Sequence, residues 1–136
     1  MFMRNEYFFL SNMYPCDITY NGHTFKSAEA AFQAQKDASR ASEFEYICGK
    51  AAKRLGRTVK MRFDWESVKL GIMEEILRIK FSDPELKQKL LAVTEPIVEE
   101  NTWQDTYWGV CEDKGQNNLG KLLTKIKNDM QKESIL

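Results

Sequence analysis

The longest periodic segment of the chain covers residues 64–81, which read DWESVKLGIMEEILRIKF. Its apolar residues recur three and four positions apart, so they share one broad helix face, and such a face must be buried. Asp64 stands at the start of the segment as an N-cap. The apolar face consists of Val68, Ile72, Met73, Ile76, Leu77 and Ile79. The segment therefore predicts a core helix that the rest of the fold has to cover.

Two residues at the ends of this helix have ordinary structural explanations. Trp65 lies in the first turn, where its ring suits packing in the core. Lys80 lies in the last turn, where a cation complements the helix dipole. Neither position indicates chemistry by itself.

A second helix is predicted at residues 26–36, KSAEAAFQAQK. Ser27 is a good N-cap, and Glu29 falls in the first turn, where the helix dipole favours a negative charge. With about 3.6 residues per turn, Glu29, Gln33 and Lys36 follow one another along one face. The mostly apolar strip beside them consists of Ala28, Ala31, Phe32 and Ala38. The polar face could carry chemistry, or it could be the solvated face of an ordinary amphipathic helix.

A short β-hairpin is predicted before this helix. Residues 18–20 alternate apolar and polar side chains, Asn21-Gly22 is the preferred pair of a type I′ turn, and residues 24–25 can return as the partner strand. Because an isolated hairpin is only marginally stable, we expect it to pack on helices. Asn12, in the loop that precedes the hairpin, could face a pocket or could make an Asx turn with its own backbone.

Two short helical stretches follow the second helix. Ser42 and Glu45 have the spacing of a capping box, which predicts a helix through residue 47. The helical pattern resumes at residue 51, and Gly56 suits the left-handed position just past a helix end. Arg54 and Arg57 are expected to neutralise that end, with phosphate binding by one of them as the alternative.

Two further helices are predicted in the last third of the chain. One is capped by Asp83, has Pro84 in its first position and runs to about residue 93. The other begins near Asn118, an N-cap residue type whose neighbouring backbone N–H groups could hold a phosphate. Its apolar side consists of Leu119, Leu122, Leu123, Ile126 and Met130.

The segment between these helices, residues 94–111, is irregular. Ile97 and Val98 predict a short strand. Carboxylates and aromatic rings then crowd together at Glu99, Glu100, Trp103, Asp105, Tyr107 and Trp108. Such rings could stack on a planar base beside acidic groups, and Gly109 would let the backbone come close to a ligand. The alternative is a loop that its tryptophans pin to the core.

Length, charge and residue types limit the class of protein. The chain has 136 residues and 43% hydrophobic content, which suits one domain spanning residues 1–136. Twenty basic and twenty acidic residues cancel, so any contact with phosphate or nucleic acid must be local. The N-terminus does not resemble a signal peptide, and no apolar run approaches the roughly 18 residues of a membrane span. We therefore expect a cytoplasmic protein without membrane contact, and no pattern indicates its oligomeric state.

Metal-ligand residue types are sparse. The three cysteines, Cys16, Cys48 and Cys111, are far apart, and with the single histidine, His23, they match no zinc spacing. We expect reduced, half-buried cysteines, no bound metal and no cofactor.

Five stretches of the chain resemble, in order and spacing, the NADAR superfamily, also called YbiA-like. They are LSNMYP, SAEAAFQAQK, the DWESV helix ending in KF, IVE followed by DTYWG, and NNLGKLL. The resemblance covers nearly the whole chain. It implies an α+β, predominantly helical fold, a single YbiA-like domain with a small N-terminal β-hairpin packed on helices. It also implies N-glycosidase activity, on phosphoribosylamino-pyrimidine intermediates of riboflavin biosynthesis or on ADP-ribosylated guanine.

The resemblance also implies which residues form the site. The catalytic candidates are Glu29, Asp105 and Lys80. The substrate-binding candidates are Asn12, Gln33, Lys36, Trp65, Glu99, Trp108, Gly109, Asn118 and Gly120. The chain departs from the family's commoner pattern at Met13, where an aromatic residue often stands, and at Ala30, where many members have histidine or another larger residue.

Cleavage of a ribosyl C–N bond sets definite chemical requirements. It passes through an oxocarbenium-like state, so it needs a carboxylate near C1′, a proton donor for the departing nitrogen and an aligned nucleophile. We assign the two carboxylates to Glu29 and Asp105. A ring-opened glycosylamine could instead be captured as a Schiff base by a lysine with a lowered pKa, Lys80 first and Lys36 in reserve. Neither route requires a metal.

Two expectations about geometry follow from this assignment. Glu29, Asp105 and Lys80 should converge on one pocket, because each lies at a helix end or in a loop beside one. Trp65 and Trp108 should wall that pocket, with Trp65 the more structural of the two.

A non-catalytic module that binds a nucleotide or ADP-ribose is the alternative function on the same scaffold. It would need the aromatic platform and the phosphate contacts but not the carboxylate pair. The presence of Glu29, Asp105 and Lys80 together favours the enzyme. Pyrimidine, guanine and nicotinamide present similar planar faces, so these residue types do not select one base.

Overall fold

The structure is a computed structural model that describes residues 1–135. The described part is mainly helical and contains one two-stranded antiparallel sheet, which confirms the predicted α+β, predominantly helical class. The strands are β1 (Pro15–Tyr20) and β2 (His23–Ser27). The α-helices are α1 (Ala28–Ala34), α2 (Gly49–Gly56), α3 (Trp65–Lys80), α4 (Pro84–Leu91) and α5 (Asn118–Ile135). Two 3₁₀ helices cover Asn5–Leu10 and Ala38–Phe44.

The chain divides into two compact units. The central unit is Asn12–Asp83, and it contains the sheet, α1, α2 and α3. The terminal unit combines Met1–Ser11 with Pro84–Leu136, and it contains α4 and α5. No helix within residues 1–135 is both long and apolar enough to cross a membrane.

The hairpin of the central unit forms as predicted. Asn21 and Gly22 connect β1 to β2 with φ angles of 48° and 83°, and a type I′ turn requires positive values at both positions. Ile18 and Phe25 face each other across the strands, and both side chains are fully buried. The sheet packs on α1 and α3, which confirms that helices cover it.

Helix α1 begins as predicted but ends earlier. The Ser27 hydroxyl accepts a hydrogen bond from the backbone N–H of Ala30, which confirms the N-cap. The helix stops at Ala34, so Lys36 lies beyond it. The placement of Ala38 on the apolar strip was wrong, because the chain has left the helix by then and Ala38 is exposed in a 3₁₀ helix.

The predicted capping box was also wrong. Ser42 lies inside a 3₁₀ helix that Asp37 caps, by accepting a hydrogen bond from the backbone N–H of Ser39. The Glu45 carboxylate contacts Nδ1 of His23 at 3.1 Å instead of returning to the backbone of Ser42. The Glu45 carboxylate therefore contacts His23, which lies 22 residues away in the sequence, and not the nearby backbone that a capping box would use.

Two helix-end assignments in the central unit need correction. Gly56 is the last residue of α2 and its φ is not positive, so it does not occupy a left-handed position. Asp64 precedes α3 without capping it, because its carboxylate pairs with the Arg62 guanidinium. The predicted core helix itself is confirmed, with Met73, Ile76 and Leu77 buried.

The terminal unit contains the two predicted late helices but no strand at residues 97–98. The isolated β-bridges of this region pair Glu100 with Val110 and Cys111 with Lys114 instead. Asn118 is the first residue of α5 and not its cap, since its side-chain Nδ2 donates to the carbonyl of Tyr107 at 3.0 Å. The buried residues of α5 include Leu119, Leu122, Leu123, Ile126 and Met130, which confirms its apolar side.

All three cysteines are free, as predicted. They differ in burial, because Cys16 is half-buried, Cys111 is buried and Cys48 is exposed. The prediction that the cysteines are half-buried was therefore wrong for Cys111 and Cys48.

Candidate active site

Helix α1 carries a pair of buried polar side chains. Nε2 of Gln33 donates a hydrogen bond to Oε1 of Glu29 at 2.9 Å. Only 8% of Glu29 and 6% of Gln33 is exposed, so the interpretation of this face as a solvated one was wrong. Burying a carboxylate is costly unless other groups stabilise it, and a compact domain rarely keeps one without a use.

Asn12 joins this face through its backbone. Its carbonyl accepts a hydrogen bond from the N–H of Glu29 at 2.9 Å, which ties the loop before the hairpin to the start of α1. Its Nδ2 contacts Sδ of Met73 at 3.5 Å, and its Oδ1 has no hydrogen-bond partner within residues 1–135 although that atom is buried. The Asn12 side chain therefore makes no Asx turn, and its buried Oδ1 is an unsatisfied hydrogen-bond acceptor within residues 1–135.

Lys36 lies one turn beyond Gln33 and is half-buried. Burial lowers the pKa of its ammonium, the Glu29 charge raises it, and the nearby Arg57 and Lys69 charges lower it again. Since these groups act on one another, Glu29 and Lys36 share one electrostatic environment although Lys36 is outside the helix. The predicted grouping of Glu29, Gln33 and Lys36 therefore holds in space.

Trp65 packs beside these groups. Its ring lies 4.9 Å from the ring of Phe32, centroid to centroid, at an angle of 52°. Nζ of Lys36 lies over the same ring, 5.9 Å from its centroid. Only 4% of Trp65 is exposed, which agrees with a mainly structural ring.

Lys80 is buried along its whole length, with 1% of the residue exposed. Burial lowers the pKa of its ammonium to about 8, and the electrostatic effect of Cys16 on this pKa has the opposite direction. Nζ lies 5.6 Å from the ring centroid of Tyr14 and 5.1 Å from that of Phe81. Dipole complementation needs only an exposed cation, so it does not explain this burial. An amine with a pKa near 8 is partly neutral at physiological pH and can act as a nucleophile.

In the terminal unit, the predicted site residue Asp105 stabilises the loop that contains Tyr107 and Trp108. Oδ1 of Asp105 accepts hydrogen bonds from the backbone N–H groups of Tyr107 and Trp108, at 3.1 and 2.9 Å. The buried Asn101 supports the same loop, because its Oδ1 accepts from the N–H of Asp105 at 3.1 Å and its Nδ2 donates to the Asp105 carbonyl at 2.8 Å. Trp108 is half-buried, and its ring packs edge-on against that of Tyr107, with 4.8 Å between the ring centroids.

The remaining candidates of the terminal unit lie where the chain approaches itself. A Cβ on Gly109 would collide with the Glu99 carbonyl oxygen, and one on Gly120 would collide with that of Ile97. The backbone N–H of Glu99 donates to Oδ1 of Asn117 at 3.0 Å. Contact within the chain therefore accounts for both glycines, whereas substrate binding by Gly109, Gly120, Glu99 or Asn118 stays a prediction.

The central unit thus brings Asn12, Glu29, Gln33, Lys36 and Trp65 together, and it also contains Lys80. Asp105 and Trp108 belong to the terminal unit. Their convergence with Glu29 and Lys80 on one pocket stays a prediction. No group of His, Cys, Asp and Glu residues in the described part of the chain is arranged to hold a metal ion.

Some residues that shape the site were not predicted. Gly49 and Gly56 lie seven residues apart on α2, and each is close to a side chain near Glu29. A Cβ on Gly49 would collide with Met13, and a Cβ on Gly56 would collide with Gln33. Seven-residue spacing places both glycines on one helix face, and this was the signal available in the sequence. Tyr14 beside Lys80 had no comparable signal, because its role depends on tertiary contact.

Comparison with known proteins places this geometry in a family. The NADAR domain model matches residues 1–131, so the chain belongs to the NADAR domain family. It is 35% identical to the N-glycosidase YbiA of Escherichia coli strain K12, in an alignment that covers 93% of the chain and 83% of YbiA. The NMR structure of E. coli YbiA superposes with a TM-score of 0.84 at 34% identity, covering 96% of this chain and 82% of that one. The predicted family and fold are confirmed.

A second relative is a longer protein. The riboflavin biosynthesis protein VVA0006 of Vibrio vulnificus strain YJ016 is 35% identical over 93% of the chain, but the chain spans only 36% of its length. Relatives of the family are therefore named both for N-glycosidase activity and for riboflavin biosynthesis.

Proposed function

We propose that this chain is an N-glycosidase that hydrolyses the ribosyl C–N bond of an N-ribosylated base. The observation that carries the proposal is the buried Glu29 carboxylate, which Gln33 holds by a hydrogen bond beside Lys36 in a chain of the NADAR family. The name of YbiA supports the reaction class. The name of VVA0006, a riboflavin biosynthesis protein, favours phosphoribosylamino-pyrimidines over ADP-ribosylated guanine as the substrate.

The proposed role of Glu29 is electrostatic. As the C–N bond lengthens, positive charge develops on C1′ and the ring oxygen, and a fixed carboxylate stabilises that charge more than it stabilises the neutral ground state. Gln33 restricts the carboxylate to one orientation, so little reorganisation is needed during the reaction. The half-buried Lys36 ammonium can donate a proton or a hydrogen bond to the departing nitrogen or to ribose oxygens.

Lys80 offers a covalent route. In that route the neutral amine attacks C1′ of the ring-opened sugar, the base leaves as a free amine after protonation, and a C=N bond joins Lys80 to the sugar. Water then adds to this imine, releases the sugar aldehyde and returns the amine. The pKa of about 8 keeps a useful neutral fraction available for the attack.

The proposed reaction needs no metal, because carboxylate and amine groups provide the charge stabilisation, the proton and the nucleophile. Incubation with EDTA followed by desalting is expected to leave turnover unchanged. Loss of turnover that zinc or magnesium restores would contradict this part of the proposal.

Direct assay of three substrates tests the function. The protein is incubated separately with ribosylaminopyrimidine phosphates, with DNA containing ADP-ribosylated guanine, and with NAD, and the released base and sugar are identified by mass spectrometry. Release from the first substrate is expected. Tight binding without release of any base would instead indicate a non-catalytic nucleotide-binding or ADP-ribose-binding module, and neither binding nor release would contradict both functions.

Borohydride trapping separates the two routes. Borohydride added during turnover reduces an imine to a stable amine, so the covalent route predicts a sugar adduct on Lys80 that Lys80→Ala abolishes. Turnover without any adduct would indicate direct attack by water, with Lys80 serving another purpose. An adduct on Lys36 would support the covalent route but show that Lys36, and not Lys80, is the nucleophile.

A further inference from the structure

Helix α2 ends against the side-chain amide of Gln33. A Cβ placed on Gly56 would lie 2.9 Å from Cδ of Gln33 and still closer to its Oε1. Real Cβ atoms do not approach side chains this closely. The backbone of Gly56 therefore occupies space beside the amide that any other residue would fill with its side chain.

The amide of Gln33 has one hydrogen-bonded end and one packed end. Nε2 donates to Glu29, whereas the buried Oε1 has no hydrogen-bond partner within residues 1–135. The reversed amide would place its oxygen against the Glu29 carboxylate, where two acceptors repel each other. Oε1 must therefore face Gly56, where a glycine α-hydrogen takes the place of a Cβ and a weak C–H···O contact is available.

From this contact we infer that Gly56 is a positioning residue for Glu29, acting through the side-chain amide of Gln33. The inference rests on the proposed N-glycosidase function, in which the orientation of the Glu29 carboxylate matters. A methyl group at position 56 forces the amide to move, and the hydrogen bond that orients Glu29 moves with it. Glycine is required here for a close approach to a side chain and not for an unusual backbone angle, since its φ is not positive.

The first test compares Gly56→Ala with Gly71→Ala. Gly71 lies in α3 with open space where a Cβ would go, so it controls for the change of a helical glycine to alanine. With a ribosylaminopyrimidine phosphate as the probe, Gly56→Ala is expected to lower kcat by roughly ten- to a hundredfold with a smaller change in KM. Gly71→Ala should leave both constants unchanged.

A double-variant cycle shows whether the effect passes through Gln33. In a Gln33→Ala background the displaced amide is absent, so adding Gly56→Ala should change kcat much less than it does in the wild-type background. An equal loss of kcat in both backgrounds would overturn the inference. If Gly56→Ala fails to fold, recovery of its Tm on adding Gln33→Ala supports the inference, and no recovery overturns it.

A measurement without substrate separates this inference from the proposed function. The side-chain NH₂ signals of Gln33 in ¹H–¹⁵N spectra are identified by their loss in Gln33→Ala. Gly56→Ala is expected to shift these two signals, while Gly71→Ala leaves them in place. Unchanged Gln33 signals in Gly56→Ala would overturn the inference. If the wild-type protein cleaves no probe, the proposed function fails. The Gln33 signals still show in that case whether Gly56 determines the position of the Gln33 side-chain amide.

Discussion

Helix α1 and the loop of the terminal unit use carboxylate and amide side chains for different purposes. On α1, the Glu29 carboxylate and the Gln33 amide bond to each other, and Oε1 of Gln33 keeps no hydrogen-bond partner in the described part of the chain. In the loop of the terminal unit, one oxygen of Asp105 accepts from two backbone N–H groups, and Asn101 bonds to the same loop through both of its side-chain ends.

The difference shows how a buried polar group can be available for chemistry. A carboxylate oxygen that holds backbone N–H groups stabilises a turn, and removing it would loosen the loop. The Glu29 carboxylate instead accepts a hydrogen bond from the Gln33 side chain on the same helix, and this bond orients it. Glu29 therefore fits a catalytic role by geometry, whereas Asp105 has a structural role whether or not it also has a catalytic one.

The largest expected effect is on turnover at Glu29. Glu29→Gln removes the charge but keeps an oxygen that can accept from Gln33, so the protein should fold while kcat falls by about 10²- to 10⁴-fold. Glu45→Gln is the matched control, since Glu45 is a half-buried carboxylate of the same unit that contacts His23. Steady-state kinetics with the cleaved substrate measures both, and an active Glu29→Gln protein would remove Glu29 from the chemistry.

Trp65 and Trp108 are expected to have different roles in the two units. Trp65→Ala should lower the free energy of unfolding by about 3–5 kcal/mol, because it empties a buried site against Phe32. Trp108→Ala, at a half-buried ring, should weaken substrate binding by about 1–3 kcal/mol if that ring stacks on the base. Urea denaturation and titration calorimetry measure these quantities. Unchanged binding by a folded Trp108→Ala protein would make Trp108 a purely structural ring.

Lys80 should make stability depend on pH. Well below pH 8 its amine is charged in both the folded and the unfolded chain, and burying that charge destabilises the fold. Between a folded pKa of about 8 and an unfolded value of 10.5, the unfolded chain binds a proton that the folded chain has lost, so stability rises with pH.

This rise is expected to reach about 3 kcal/mol at Lys80. Urea denaturation from pH 7.5 to 10 on the wild type and on Lys80→Met isolates it, because the other groups titrate in both proteins. Lys80→Met should lack this part of the rise. Parallel curves for the two proteins would show that the amine is not desolvated in the folded state.

The smallest expected effect separates structure from chemistry at Asp105. Asp105→Ala should cost about 1–2 kcal/mol of stability, since two backbone N–H groups lose their acceptor. Asp105→Asn keeps an oxygen in that place and should cost much less. Kinetics on Asp105→Asn then tests the predicted catalytic role, because lost turnover at nearly unchanged stability supports it and normal turnover contradicts it.

Much of the fold could be predicted from residues close together in the sequence. The Asn21-Gly22 turn, the Ser27 cap and the apolar faces of α3 and α5 all depend on interactions within a few residues. The same local rules failed at Glu45 and Asp64, because the side chains of His23 and Arg62 contact these carboxylates instead. Local motifs are therefore reliable only where no competing partner lies nearby.

The candidate site could be predicted only in part. The spacing of Glu29 and Gln33 placed them on one helix face, and this is a property of helix geometry alone. Their burial could not be predicted, because the same spacing is typical of a solvated face. The role of Gly56 was assigned to backbone conformation, whereas its contact with Gln33 depends on how α2 packs on α1.

Local sequence is enough to specify the hairpin, the helical segments and the order of polar groups along α1, since hydrogen bonds and side-chain periodicity over short distances suffice for these. Which groups lose contact with water depends instead on long-range packing. Lys80 has the same covalent structure as every other lysine, and its pKa falls to about 8 because Tyr14, Phe81 and the surrounding unit exclude solvent from its amine. Desolvation depends on all neighbours at once, and those neighbours are brought together only when the chain has folded.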